Sequence, residues 1–269
     1  MPGGGAGLLP RRRFRSGGVE TVGVLDVLWL FATGVLAGTV SVVASLATLV
    51  SYPALLAAGL SPLAANVTNT TALVFVGFGS AAGSQPELAG QGRRLVRFGV
   101  LNAVGGGAGA ALLLLTPASA FEAAVPWLVA AASIVLLVGR RLRGGPGERE
   151  SSPLLQAGVL GVAVYTGYFG AAGGVLALAV LTALLDLPLA RTIAIKNVIA
   201  AVANGVAALA FAFFGPVDWA AVPPLALGFL TGGWIGPKLV RRLPAGPLRV
   251  FIGLCGLGIA VKLGFDAYA

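Results

Sequence analysis

Apolar residues run in long blocks along this chain, and the polar positions between them are few. The first block extends from Val24 to Gly59, the second from Ala64 to Ala82, the third from Phe98 to Leu115 and the fourth from Phe121 to Val138. After a hydrophilic stretch come Leu154 to Leu185, Ile193 to Phe214, Trp219 to Leu239 and Val250 to Phe265. Several reach the roughly 20 residues that a helix needs to cross a bilayer. The first and fifth are too long for one perpendicular span. As one straight helix, Val24 to Gly59 would measure about 54 Å at 1.5 Å per residue, against about 30 Å of hydrocarbon. It must tilt strongly, break or fold back, and Gly34, Gly38, Ser41, Ser45, Thr48, Ser51 and Pro53 offer places to do so. In the fifth block Gly167, Gly170, Gly173 and Gly174 do the same.

The blocks fall into two halves. Gly59-Leu60-Ser61-Pro62-Leu63-Ala64 is echoed at an offset of 126 by Leu185-Asp186-Leu187-Pro188-Leu189-Ala190, which sets Lys196 opposite Thr70 and Asn197 opposite Thr71. The expected organisation is a basic N-terminus over 1–23, a first membrane repeat over 24–139, a basic loop over 140–153 and a second repeat over 154–269. The expected fold class is an all-α polytopic membrane protein. It has about eight transmembrane helices from two four-helix repeats, with the first run of each half broken or re-entrant. Charge refines the topology. Arg93, Arg94 and Arg97 follow the second run, Arg140, Arg141, Arg143 and Arg149 the fourth, and Lys238, Arg241, Arg242 and Arg249 the seventh. The positive-inside rule puts all three groups on one side if the fifth run dips in and returns, so the two repeats are expected to be inverted. The basic N-terminus instead fits a first run that crosses.

Composition narrows the function classes. The chain is 57% hydrophobic and only 10% charged, where soluble domains carry about 25%. Its 41 glycines suit close helix approach, and Gly34/Gly38, Gly105/Gly109, Gly228/Gly232 and Gly232/Gly236 have packing spacing. The net charge of +9 speaks to topology, not to nucleic acid. Arg11, Arg12, Arg13 and Arg15 precede an apolar run far longer than a signal-peptide core, so the N-terminal region is read as disordered and the first run as a retained anchor. There is no histidine, and the one cysteine, Cys255, lies in an apolar run. These absences leave no His-dependent catalysis and no His or Cys metal site. No carboxylate lies mid-span, so a carboxylate proton relay has no candidate. The expectation is neither an enzyme nor a cofactor protein.

The candidate chemistry is cationic and hydroxylic. Arg191 and Lys196 lie close to or inside hydrocarbon, with Asn197 and Asn204 beside or below them. Arg191 can equally be a loop residue at a membrane edge, and Lys196 can snorkel to the interface. The functional alternative is that Lys196 faces the bundle interior, where an unpaired cation is costly and a bound anion is its natural partner. In the first half Asn66, Thr68, Asn69, Thr70 and Thr71 are dense enough to donate hydrogen bonds to an oxyanion, or to bridge helices. A break at Gly170 to Gly174, including Gly173 and Gly174, would expose backbone N–H groups, although helix packing also explains glycines there.

The combined pattern resembles the TauE/SafE family of sulfite exporters. It rests on Tyr52-Pro53-Ala54-Leu55-Leu56, Gly59-Leu60-Ser61-Pro62 through Thr70, Gly167-Tyr168-Phe169-Gly170-Ala171-Ala172-Gly173-Gly174, Leu187-Pro188-Leu189-Ala190-Arg191, Gly215-Pro216-Val217-Asp218-Trp219, Gly232-Gly233-Trp234-Ile235-Gly236 and Leu243-Pro244. The first half departs from it, because Val42-Val43-Ala44-Ser45-Leu46-Ala47-Thr48 lacks the glycines that the resemblance implies there. The resemblance implies about eight helices from a duplicated four-helix unit, and transport of small sulfur-containing anions or organosulfonates. The expected function is therefore a cytoplasmic-membrane permease for sulfite, thiosulfate or an organosulfonate. Its expected partners are a small anion and the lipid bilayer, with no nucleic acid. The alternatives are a permease for another organic anion, or a non-transporting scaffold or lipid-binding protein. Oligomeric state is left open, a homodimer included.

Overall fold

The computed structural model describes residues 23–138, 153–170, 173–185 and 187–240, with isolated positions between 250 and 265. The expectations for the N-terminal arginines, the basic loop, Ala171, Ala172, Asp186, Arg241, Arg242, Arg249 and most of the eighth run lie outside the described residues. Among those described, all regular structure is helical. The helices are α1 (Val24–Ala44), α2 (Ala47–Ala57), α3 (Pro62–Gly83), α4 (Gln85–Leu88), α5 (Gly92–Leu115), α6 (Ala118–Val138), α7 (Pro153–Tyr168), α8 (Gly173–Leu184), α9 (Leu189–Phe214) and α10 (Val222–Val240). By length and composition, Val24–Val43, Gly92–Leu115 and Leu189–Phe214 can each cross a membrane.

Helix ends follow local chemistry. Ser61 caps α3, its hydroxyl accepting from the Ala64 amide, and Pro62 takes the first helical position, where no N–H is needed. The seventh apolar run is expected from Trp219, but α10 starts only at Val222. The Asp218 carboxylate accepts from the amides of Ala220 and Ala221 and holds that segment as a turn. Arg93, Arg94 and Arg97 are expected in a loop, yet they occupy the first turns of α5, where Arg94 bonds to Gln91. A 24-residue helix is about 36 Å long, so it outruns the hydrocarbon and can carry arginines at its end.

Both long runs are broken. α1 ends at Ser45, with φ 64°, and α2 begins two residues later. α7 ends before Gly170, with φ 75°, and α8 begins at Gly173.

The helices pack in the order α1, α10, α3, α9, α5, α7. Glycines set the close contacts. Gly34 and Gly38 of α1 abut Gly228, Phe229 and Gly232 of α10, and Gly105 and Gly109 of α5 abut Leu160, Ala163 and Val164 of α7. The run Gly105 to Gly109 is thus helix interior pressed against its neighbours. The outer surface is apolar, with Leu112, Leu209, Phe213, Phe214 and Trp127 exposed, while Asn66, Asn69, Lys196 and Asn197 are buried. That distribution suits a protein surrounded by lipid rather than water.

Candidate functional site

The two helix breaks meet. A Cβ on Gly174, in the first turn of α8, would lie 2.8 Å from the Ser45 Cβ. Around this contact α3, α7 and α9 enclose a cavity of about 50 Å³. That is above the roughly 10–15 Å³ a cavity needs to admit a water, and on the scale of one small ion.

Each wall is a helical stripe. From α9 come Lys196, Ala200 and Asn204, four residues apart, with Asn197 and Ala201 alongside. From α3 come Thr70, Leu73 and Gly77. The first break supplies Ser41, Ser45, Ala47 and Thr48, and the second supplies Thr166, Gly170 and Gly174. Among the described residues, Lys196 is the only charged one in this lining.

Lys196 is 2% exposed. It lies seven residues into α9, about 10 Å along the axis from the helix start, so it is inside the bundle. Its Nζ donates to Ser45 Oγ at 2.6 Å and more distantly to the Ser41 carbonyl at 3.5 Å. No carboxylate pairs with it among the described residues. Asn197 also lines the cavity and donates from Nδ2 to Ser80 Oγ of α3 at 2.7 Å. α2 begins with no side-chain cap, and its first two residues, Ala47 and Thr48, face the cavity. Its leading amides therefore lack intrahelical acceptors at the point where an anion would sit.

The polar cluster at the start of α3 is buried, but only Thr70 of its members lines the cavity. Asn66 donates to the Tyr168 carbonyl at 3.0 Å. Thr68 accepts from the Asp218 amide at 2.9 Å. Asn69 accepts from Ser51 at 2.6 Å and donates to Thr48 at 3.4 Å, one step behind the lining. Thr71 bonds back to the Val67 carbonyl at 2.8 Å. Each of these groups thus answers a different neighbour. Gly173 is buried, and a Cβ there would meet the Thr166 hydroxyl at 2.5 Å. Arg191 is exposed in the first turn of α9 and is not part of the lining.

The structure thus gathers Lys196, Asn197, Asn204, Thr70 and Gly174. It places Asn69 and Gly173 behind them, Asn66 farther along α3 and Arg191 at the surface. Sequence reading treats Ser41, Ser45 and Thr48 only as places for a break and overlooks Thr166 and Ser80. The recurrence of hydroxyls at Ser41, Ser45 and Thr48 was the available signal, but it is the break at Ser45, and not one continuous helical face, that brings them to the cavity.

The family model for the sulfite exporter TauE/SafE matches residues 30–263. Three Escherichia coli proteins, from strain K12, from O6:H1 (strain CFT073) and from O157:H7, each named "Probable membrane transporter protein YfcA", are 29% identical over 248 residues, covering 89% of this chain and 90% of each relative. No solved structure matches the chain.

Proposed function

The chain belongs to the TauE/SafE family of sulfite exporters, and from that premise we propose that this membrane transporter is a permease for a small sulfur-containing anion: sulfite, thiosulfate or an organosulfonate. Its place is the cytoplasmic membrane, and it works by transport rather than by chemistry on its substrate. The observation that carries this reading is Lys196, a cation 2% exposed in a cavity that, among the described residues, offers it serine partners and no carboxylate. A buried charge of that kind is costly unless a counter-ion arrives, and a small anion is the counter-ion the cavity has room for. Asn197, Asn204, Thr70, Thr48 and the leading amides of α2 stand ready as hydrogen-bond donors. Asn69 and Gly173 support them from behind, with Asn66 farther out and Arg191 at the approach.

The chain is read as two inverted halves that build eight spans, each half opening with a broken helix. The packing order supports this. Exchanging α1 with α7, α3 with α9 and α5 with α10 returns the same order reversed. Interrupted helices at corresponding positions are where transporters of this general design hold their cargo.

The test is uptake of radiolabelled sulfite, thiosulfate and sulfate into proteoliposomes, with Lys196→Ala beside the wild type. Saturable uptake of at least one anion is expected from the wild type, and background uptake from the variant. Removing a buried cation also removes its desolvation cost, so the variant is expected to keep its fold, which its thermal midpoint checks. Normal transport by a folded Lys196→Ala would overturn the site. If no anion is taken up, organic anions follow by thermal shift, and a protein that binds none of them is a scaffold.

A further inference from the structure

We propose that the cavity selects by charge, accepting a monoanion and rejecting both dianions and neutral molecules of the same shape. The inference rests on the permease reading and narrows it: an organosulfonate or hydrogensulfite fits the rule, whereas thiosulfate and fully ionised sulfite, as dianions, do not.

The charge balance of the cavity can be taken from its walls. Each helix break brings one C-terminus and one N-terminus to the same place: the end of α1 with the start of α2, and the end of α7 with the start of α8. Helix ends carry about −0.5 and +0.5 of a charge, so each break contributes nearly nothing in sum. Among the described residues the remaining lining is neutral: Ser41, Ser45, Thr48, Thr70, Asn197 and Asn204 are its polar members besides Thr166. A protonated Lys196 therefore sets the net charge of the described lining at +1. Arg191 is on the surface, where solvent screens it.

A monoanion brings that sum to zero. A dianion leaves one negative charge uncompensated among buried groups. Its desolvation cost rises with the square of charge, to about four times that of a monoanion, while its attraction to Lys196 only doubles. Neutral donors soften the difference without reversing it. A neutral ligand gains no ion pair and leaves Lys196 as it was.

Three tetrahedral probes of five heavy atoms isolate charge from shape: dimethyl sulfone (neutral), methanesulfonate (one negative charge) and sulfate (two). The full-length protein in lipid nanodiscs is titrated calorimetrically with each at fixed ionic strength. Methanesulfonate is expected to bind at least tenfold more tightly than sulfate, with dimethyl sulfone undetectable. Lys196→Gln is expected to erase the preference for methanesulfonate, and the wild-type ranking decides even if that variant does not fold. Sulfate binding as tightly as methanesulfonate, or more tightly, overturns the charge rule and leaves the permease reading standing. Absence of binding by all three probes, alongside uptake of a labelled anion into proteoliposomes, also overturns the charge rule alone. Absence of both binding and uptake overturns the rule and the permease reading together.

Discussion

Ser45 and Gly170 meet the same backbone demand with different residues. Both sit in left-handed conformation where a long helix stops, at φ 64° and 75°. For glycine that conformation is nearly free, whereas a residue with a Cβ loses about 1–2 kcal/mol. The serine is retained where its hydroxyl accepts from Lys196 at 2.6 Å. Ser45→Gly and Ser45→Ala both delete that hydroxyl and differ mainly in backbone strain. The strain relief is partly offset by the roughly 0.4–1 kcal/mol that glycine adds to the freedom of the unfolded chain. Ser45→Gly is therefore expected to be more stable than Ser45→Ala by roughly 0.5–1 kcal/mol, read as a higher thermal midpoint in matched detergent. An alanine variant that melts at or above the glycine variant would remove the strain argument. Lys196 itself was legible in sequence, since a cation inside an apolar run is rare. Arg191 looked similar there, but five residues of helix turn a side chain by about 140°, which puts the two cations on different faces. Ser45 was not legible as its partner, because only the packed bundle brings the end of α1 to α9.

At the scale of elements, helix contacts here are set by where a Cβ is forbidden. In lipid the drive to associate comes from close packing and hydrogen bonds rather than from escaping water, so small residues decide which faces meet. A Cβ on Gly106 of α5 would lie 2.5 Å from the Ala203 carbonyl oxygen of α9, whereas one on Gly205 of α9 meets nothing within 4 Å. Gly106→Ala is expected to push α5 from α9 at a cost of about 1–3 kcal/mol. Gly205→Ala is expected to be neutral, or to stabilise by up to about 1 kcal/mol through helix propensity. Thermal midpoints of the two purified variants check this, and equal shifts would refute it. Glycine spacing made the α1 with α10 contact readable as packing. It did not reveal that Gly106 faces α9 while its neighbours Gly105 and Gly109 face α7, because a glycine carries no side chain to mark its face. The helix breaks were legible as such from the excess length of the first and fifth runs. The start of α10 was misplaced because the Asp218 carboxylate, and not hydropathy, sets it.

Across the whole molecule, the cavity takes its lining from both halves of the sequence, and positions 126 residues apart face it together. Thr70 lines it from α3 and Lys196 from α9, and Thr48 and Gly174 line it from α2 and α8. The halves are alike in packing order and unlike in charge, since the cation sits on one side only. If the cavity is two-fold in shape, its charge can change sides without being lost. Lys196→Thr alone is expected to lose anion binding, because nothing else in the lining is charged among the described residues. Adding Thr70→Lys to that variant places an ammonium on the corresponding turn of α3, across from its original place. Its hydroxyl partner would then be Thr166, the polar group of the second break, whose own hydroxyl bonds to the Val162 carbonyl at 2.8 Å. That hydroxyl keeps its lone pairs to accept from the ammonium, but the lysine stem must fit a place shaped for threonine, so the rescue should be partial. The double variant is expected to recover at least tenfold in affinity over Lys196→Thr while staying below the wild type. Titration of methanesulfonate into the three proteins measures it. A double variant no better than the single would mean that the first half supplies only shape and neutral donors, and that the cation works only from α9, beside Ser45.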